Sequence, residues 1–233
     1  HANDAMANIG DMLDFDDAVG EALKFYALYP NDTLIIVTGD HETGGMTIGH
    51  ATTGYTAYYG ELLKQTNSYE YFDKLWTAHE TTNEEAVCGN ILADGSLAND
   101  ATVMGWMETH FGLAYATLNA YQKEKLEDAY DFSMCETNNN NIDENIFMYG
   151  GSKKIVAGNV VYSGGYNPIT VTMTHILNEK ASIGWTSYSH TGVPVPVFSK
   201  GRVAQSFAGF YDNTDIAKRM AKVMGLPALP VQK

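Results

Sequence analysis

An aspartate and a histidine stand side by side at Asp40-His41, just past the short apolar run Leu34-Ile35-Ile36-Val37. Carboxylate oxygen and imidazole nitrogen both ligate zinc well, and a strand end, where side-chain alternation breaks down, lets neighbours converge on one ion. Gly39, Gly44 and Gly45 flank the pair and permit tight backbone turns around it. Taken alone, the dipeptide leaves two readings open, a pair of metal ligands or the cap of a surface turn. Glu42 is equally double: it orients a histidine or caps the next segment.

The elements that must position these residues read as α/β. A helix is expected over 14–29, with Ala18, Val19, Ala22, Leu23 and Tyr26 on one face, Asp14 or Asp16 capping it, and Pro30-Asn31-Asp32 ending it. Residues 33–38 are nearly continuously apolar and β-branched, as in a strand buried on both faces. In such sheets ligands gather at the carboxyl ends of strands, where Asp40 and His41 lie. From about 50 to 149 the pattern turns helical and polar, which predicts a largely helical insertion with loops at Asp94-Gly95 and 138–141. One of its helices places Leu118, Leu126, Ala129 and Tyr130 toward the core and leaves Glu124 and Asp128 to water. Gly150-Gly151-Ser152 and Ser163-Gly164-Gly165 read as turns, because they lack the spacing and lysine of a phosphate loop.

After Asn167-Pro168 a helix is expected to about residue 180, then a buried strand at Ile183-Gly184-Trp185-Thr186, closely followed by His190. Pro194-Val195-Pro196-Val197-Phe198 suits an edge strand or extended segment, since proline cannot donate to a sheet ladder. Asp212 or Asn213 caps a last helix whose Ile216, Met220, Val223 and Met224 share a face, and Gly225 stops it before Pro227.

Composition bounds the partners. With 233 residues and 45% hydrophobic residues the chain suffices for one substantial domain or part of a larger one. Only 14 Lys and Arg face 28 Asp and Glu, a net charge of -14 that argues against nucleic acid and anionic membranes. A phosphate-ester enzyme of this charge needs metal ions to supply local positive potential. No apolar run approaches the roughly 18 residues of a membrane span. No signal peptide is seen, and the chain opens at His1 rather than a methionine, so its true start is open. Cys88 and Cys135 have neither a CxxC nor a zinc-ribbon spacing, and a disulfide between them is left open.

Four segments then point to one family. Thr38-Gly39-Asp40-His41-Glu42-Thr43-Gly44-Gly45 closely resembles the "T-x-D-H-E-T-G-G" segment of the alkaline phosphatases. His190-Thr191-Gly192, after Ile183-Gly184-Trp185-Thr186, resembles the family's "H-T-G" at its last zinc-binding histidine, and Phe207 to Ile216 resembles its terminal "F-x-G-x-x-D-N-T-D-I". His1-Ala2-Asn3-Asp4 is similar to the end of a motif whose histidine binds zinc. The likeness covers roughly the first 50 and last 70 residues and is loose between them.

The resemblance implies the C-terminal part of a three-layer α/β fold with a central, mostly parallel sheet, residues 1–233 forming part of one such domain. It implies that His1 and His190 ligate one zinc and Asp40 and His41 a second, both sets incomplete here. It implies magnesium whose ligands lie outside this chain. The family's nucleophilic serine sits in a "D-S-A" segment absent from the sequence, so no catalytic residue is assigned. The implied activity is hydrolysis of phosphate monoesters through a phosphoserine in the complete protein, with this chain inactive by itself. A missing N-terminal half, a homodimer and a periplasmic or extracellular location are implied likewise. The alternatives are another ester hydrolase of the same superfamily, a phosphodiesterase or sulfatase, or an inactive zinc-binding half. His50, His79, His110 and His175 lie outside the matching segments and are read as surface or packing residues.

Overall fold

A computed structural model describes residues 1–88, 97–135, 152–156, 159–163 and 166–227. The chain forms two compact units, His1–Gly10 with Thr43–Thr191, and Asp11–Glu42 with Gly192–Lys233.

The first unit is built on a helix that is buried almost all round, α5 (Pro168–Ala181), where Ile169, Val171, Met173, Ile176 and Leu177 and also Thr170, Thr172, Thr174 and Asn178 are buried. Val, Ile and Thr are mediocre helix formers, so packing rather than propensity holds this segment helical. Pro168 supplies a preset φ at the first turn, and Ser182, in the left-handed region at φ 70, closes the last one with its N–H directed to the carbonyls of Asn178 and Glu179. Around it pack α2 (Tyr69–Cys88), α3 (Ala101–Phe111) and α4 (Ala120–Cys135), with Phe72, Trp76, Met107, Phe111, Leu126 and Tyr130 filling the core. The described residues of segment 50–149 are thus largely helical.

Leu118, Leu126, Ala129 and Tyr130 are buried and Glu124 is exposed, but Asp128 is buried where water was expected. The reason is that α4 is covered on two sides, by α2 and by α5, so its polar stripe is also enclosed. Lys125 of the same helix is buried too and pairs with Glu179 of α5 at 2.9 Å.

The second unit holds most of α1 (Ala5–Leu28), which begins nine residues before the helix expected from 14, in the first unit. Strand β1 (Leu34–Thr38) follows, and pairs with β6 (Val197–Gly201) so that Leu34 lies opposite Gly201 and Thr38 opposite Val197. Helix α6 (Thr214–Val223) closes the unit. Between the two cap candidates Asp212 is the one used: its Oδ1 accepts from the N–H and hydroxyl of Thr214, whereas Asn213 makes no side-chain cap bond.

The sheet departs from expectation. Among the described residues the strands form three two-stranded antiparallel sheets, β1 with β6, β2 (Thr47–Ile48) with β5 (Ile183–Gly184), and β3 (Ser152–Val156) with β4 (Asn159–Ser163). No parallel pair occurs among them, and β1 is half-buried rather than buried on both faces. A continuous apolar run encodes a strand that demands cover, but not which strands lie beside it. The residue pattern does not announce β2, β3 or β4. The glycines at 150, 151, 164 and 165, the loops at Asp94-Gly95 and 138–141, and the side chains of Cys88 and Cys135 lie outside the described residues.

One carboxylate ties the start of the chain to this bundle. Asp4 is buried, caps α1 through the N–H of Ala7 at 3.0 Å, and caps α2 through the N–H of Tyr69 at 2.9 Å. Both its oxygens also accept from the amide of Gln65, at 2.8 and 2.9 Å. Asp4→Ala leaves two helix starts and a buried amide without their acceptor, and should lower stability by about 2–4 kcal/mol in chemical denaturation. A loss below about 0.5 kcal/mol, the scale of an ordinary surface substitution, would contradict this accounting.

Candidate metal centre

In the first unit, His1 and His190, 189 positions apart in the sequence, come together with ring centroids 4.9 Å apart. Two imidazoles bound to one tetrahedral zinc at about 2.0–2.1 Å would hold their centroids roughly 5 Å apart, so the spacing fits a shared ion. Both side chains are exposed, but the backbone that carries His1 is not. Asn3 is 1% exposed and adopts a left-handed φ of 53, a conformation asparagine tolerates better than most residues. Its carbonyl accepts from the Asn178 amide at 2.6 Å, its own amide donates to the Ser187 carbonyl at 3.0 Å, and the Thr174 hydroxyl donates to the Ala2 carbonyl at 3.2 Å.

The loop bearing His190 is held by the glycines of the Glu-Thr-Gly-Gly segment. The Gly44 carbonyl accepts from the N–H groups of Thr186 and Ser187, at 2.9 and 3.1 Å. A Cβ at Gly44, whose φ is 142, would stand 2.7 Å from the Ser187 carbonyl and 3.0 Å from the Asn3 amide. These glycines therefore serve close backbone approach to segment 185–191, rather than only the turn at Asp40-His41.

In the second unit, Asp40 Oδ2 and His41 Nε2 are 3.3 Å apart. Two ligand atoms on a tetrahedral zinc stand roughly 3.3 Å apart by the same bond lengths. The His41 N–H donates to Asp40 Oδ1 at 3.0 Å, which folds the two side chains toward each other. The Nδ1 of His41 lies 2.8 Å from the Glu42 carbonyl. A carbonyl only accepts, so Nδ1 carries the proton and Nε2 is left with the lone pair a metal requires. Glu42 thus orients the histidine, but through its backbone. Beside Asp40 a cleft of about 420 Å³ is lined by Thr38, Gly39, Asn213, Thr214 and Ile216, which brings the Asp-Asn-Thr-Asp-Ile segment to the strand end. Arg219 takes no part in it: its guanidinium stacks on Tyr211 and donates to the Ser206 carbonyl.

The remaining histidines have protein partners. His50 bonds Thr52, His79 bonds Asp100 at 2.6 Å, and His110 bonds Asn67. His175 contacts Oδ1 of Asn3, two residues after His1, at 3.0 Å. Asn178 and Ser187, and the buried roles of Asn3 and Asp4, escaped the sequence reading, because hydrogen bonds spanning 61 to 184 positions leave no local pattern.

The sequence profile of the alkaline phosphatase family matches residues 1–226. The chain belongs to that family. It is 27% identical over 224 residues to "Alkaline phosphatase 3" of Bacillus subtilis, covering 96% of this chain and 37% of that protein. It is 20% identical over 237 residues to the "Repressible alkaline phosphatase" of Saccharomyces cerevisiae, covering 97% of this chain and 34% of that one. The crystal structure of a cold-active alkaline phosphatase from a psychrophilic Shewanella species superposes with a TM-score of 0.57 at 22% identity, over 95% of this chain and 41% of the other, a likeness of fold. The chain thus spans roughly a third to two fifths of the length of these alkaline phosphatases.

Burial pulls the His175 pKa down to about 4 from 6.5, helped by the positive charges of Lys125 and His50. With the folded value depressed, the unfolded chain takes up this proton first as pH falls. Stability should therefore be full above about pH 6.5 and decline toward pH 4, by up to about 3 kcal/mol from this group. Denaturant unfolding of wild type and His175→Gln across that range checks it. The variant should show the shallower slope, and parallel slopes would refute the assignment.

Proposed function

We propose that this chain is the zinc-binding C-terminal part of an enzyme that hydrolyses phosphate monoesters by a two-zinc mechanism through a phosphoserine. The observation that carries the reading is the approach of His1 to His190, two residues from opposite ends of the sequence, at the spacing of two imidazoles on one ion. Membership of the alkaline phosphatase family supports the same chemistry.

In this reading His1 and His190 present neutral imidazoles to one zinc, and Asp40 and His41 hold the second. The Glu42 carbonyl keeps the His41 Nδ1 protonated, so that Nε2 remains the donor atom. When bound, zinc would supply the positive charge that a phosphate ester needs in a chain whose net charge is -14. The serine, the remaining zinc ligands and the magnesium ligands belong to an N-terminal half outside this chain. Because imidazoles must be neutral to ligate, zinc affinity rises with pH.

The same proposal extends to the assembly. The half-buried faces of β1, and its second edge, which has no strand partner among the described residues, suit a central, mostly parallel sheet completed by that half. Exposed Leu28, Phe198 and Phe210 suit further cover. Segment 50–149 is an insertion into this one domain. The complete enzyme is a homodimer working in the periplasm or outside the cell. No helix among the described residues is long and apolar enough to cross a membrane.

The test is turnover of a chromogenic phosphate monoester with zinc and magnesium. The complete gene product should be active, with the rate rising toward alkaline pH. His190→Ala and His41→Ala should each lose at least about a hundredfold in kcat/KM and bind less zinc. The 233-residue chain alone should be no faster than buffer with the same metals. Robust turnover by the chain after repurification would show that the nucleophile lies within it.

A further inference from the structure

His175 is unusual among the histidines outside the two pairs, because it touches both segments that bring the first pair together. On one side it meets Asn3, two residues after His1. On the other its ring stacks on Tyr188, two residues before His190, with centroids 5.2 Å apart and planes 17° apart.

The hydrogen-bond directions in this contact are determined. The Ser187 carbonyl, 3.0 Å from the Asn3 amide, accepts only, so that end of the carboxamide is the NH₂. Oδ1 of Asn3 then faces His175, and Nε2 of His175 must carry the proton it donates. The amide group also reaches the His1 carbonyl at 3.5 Å. With the His175 donor removed, Oδ1 loses that N–H partner and the carboxamide is held only through its NH₂ group. Turned over, it would set an oxygen against the Ser187 carbonyl, and the left-handed turn at Asn3 would lose that tie.

We propose that His175 is a positioning residue for the His1–His190 pair, acting through the Asn3 carboxamide and through the stacked Tyr188. This rests on the zinc reading of that pair. Its task is to hold a neutral Nε2–H donor in a half-buried place, and a histidine kept uncharged by its surroundings does so across the neutral and alkaline range. The ring occupies the stacking position on Tyr188 at the same time, so one side chain couples two loops that are otherwise remote in sequence.

Two substitutions separate its hydrogen bond from its ring. His175→Phe keeps the stack and deletes the donor, whereas His175→Gln keeps an amide donor near the place of Nε2. In the 233-residue chain, zinc affinity by competition with a chromophoric chelator should fall about tenfold or more in His175→Phe and stay within about threefold of wild type in His175→Gln, the scale known for groups that orient metal ligands. In metal-free protein, the nuclear Overhauser contact between the His1 and His190 rings should be lost in the Phe variant and kept in the Gln variant. Unchanged affinity and contact in His175→Phe, or equal losses in both variants, would overturn the proposal. Should His175→Phe not fold, Asn3→Ala replaces it, and undiminished affinity and contact there would overturn the relay. If wild type binds no zinc but the ring contact still depends on His175, the zinc reading fails and the positioning role stands.

Discussion

The insertion of Ala2, Asn3 and Asp4 into the side of α5 is the constraint on which the rest of the first unit depends. These three residues are at most 6% exposed, although two of them are polar. Burying polar groups is tolerable only when their bonds are made inside, and here they are: Asn178, Thr174 and His175 of α5 meet the backbone and side chain of the turn, while Gln65 and Tyr69 meet Asp4. An exposed imidazole on such a base has few degrees of freedom left. His1 is held through the backbone of the residues that follow it, and its ring lies exposed beside that of His190.

The second histidine is presented by a different device. Segment 185–191 is irregular, and the N–H groups of Thr186 and Ser187 are satisfied by the carbonyl of Gly44 rather than by a ladder. That approach requires residues without a Cβ, because a methyl at Gly44 or Gly45 would fall within 3.0 Å of Ser187 or Thr186 atoms. The Glu-Thr-Gly-Gly segment therefore has two separate uses: the backbone of its first residue sets the tautomer of His41, and its glycines seat the loop of His190.

Much of this was legible from local pattern. Asn167-Pro168 announced α5, Gly225 the end of α6, and the apolar run 34–37 announced β1, since each signal acts within a few residues. Asp40 and His41 stood out locally, as neighbours at a strand end, but only the family motifs chose between ligands and a turn cap, and His1 and His190 stood out through those motifs alone. What stayed hidden was everything carried by long-range contact. Asp128 reads as a solvent residue on a helical wheel and is buried because a second helix covers that stripe. His175 reads as a packing residue, and its bond to Asn3 crosses 172 positions. For β1 the apolar run revealed a strand but not that its partner is β6, running antiparallel.

The central claim is that one metal ion joins His1 and His190. Crystals of the chain grown with zinc, measured above and below the zinc absorption edge, test it most directly. The account predicts an anomalous peak bonded to a ring nitrogen of both histidines at about 2.0–2.1 Å. A peak bonded to only one of them, or zinc bound elsewhere with this pair bare, would contradict it.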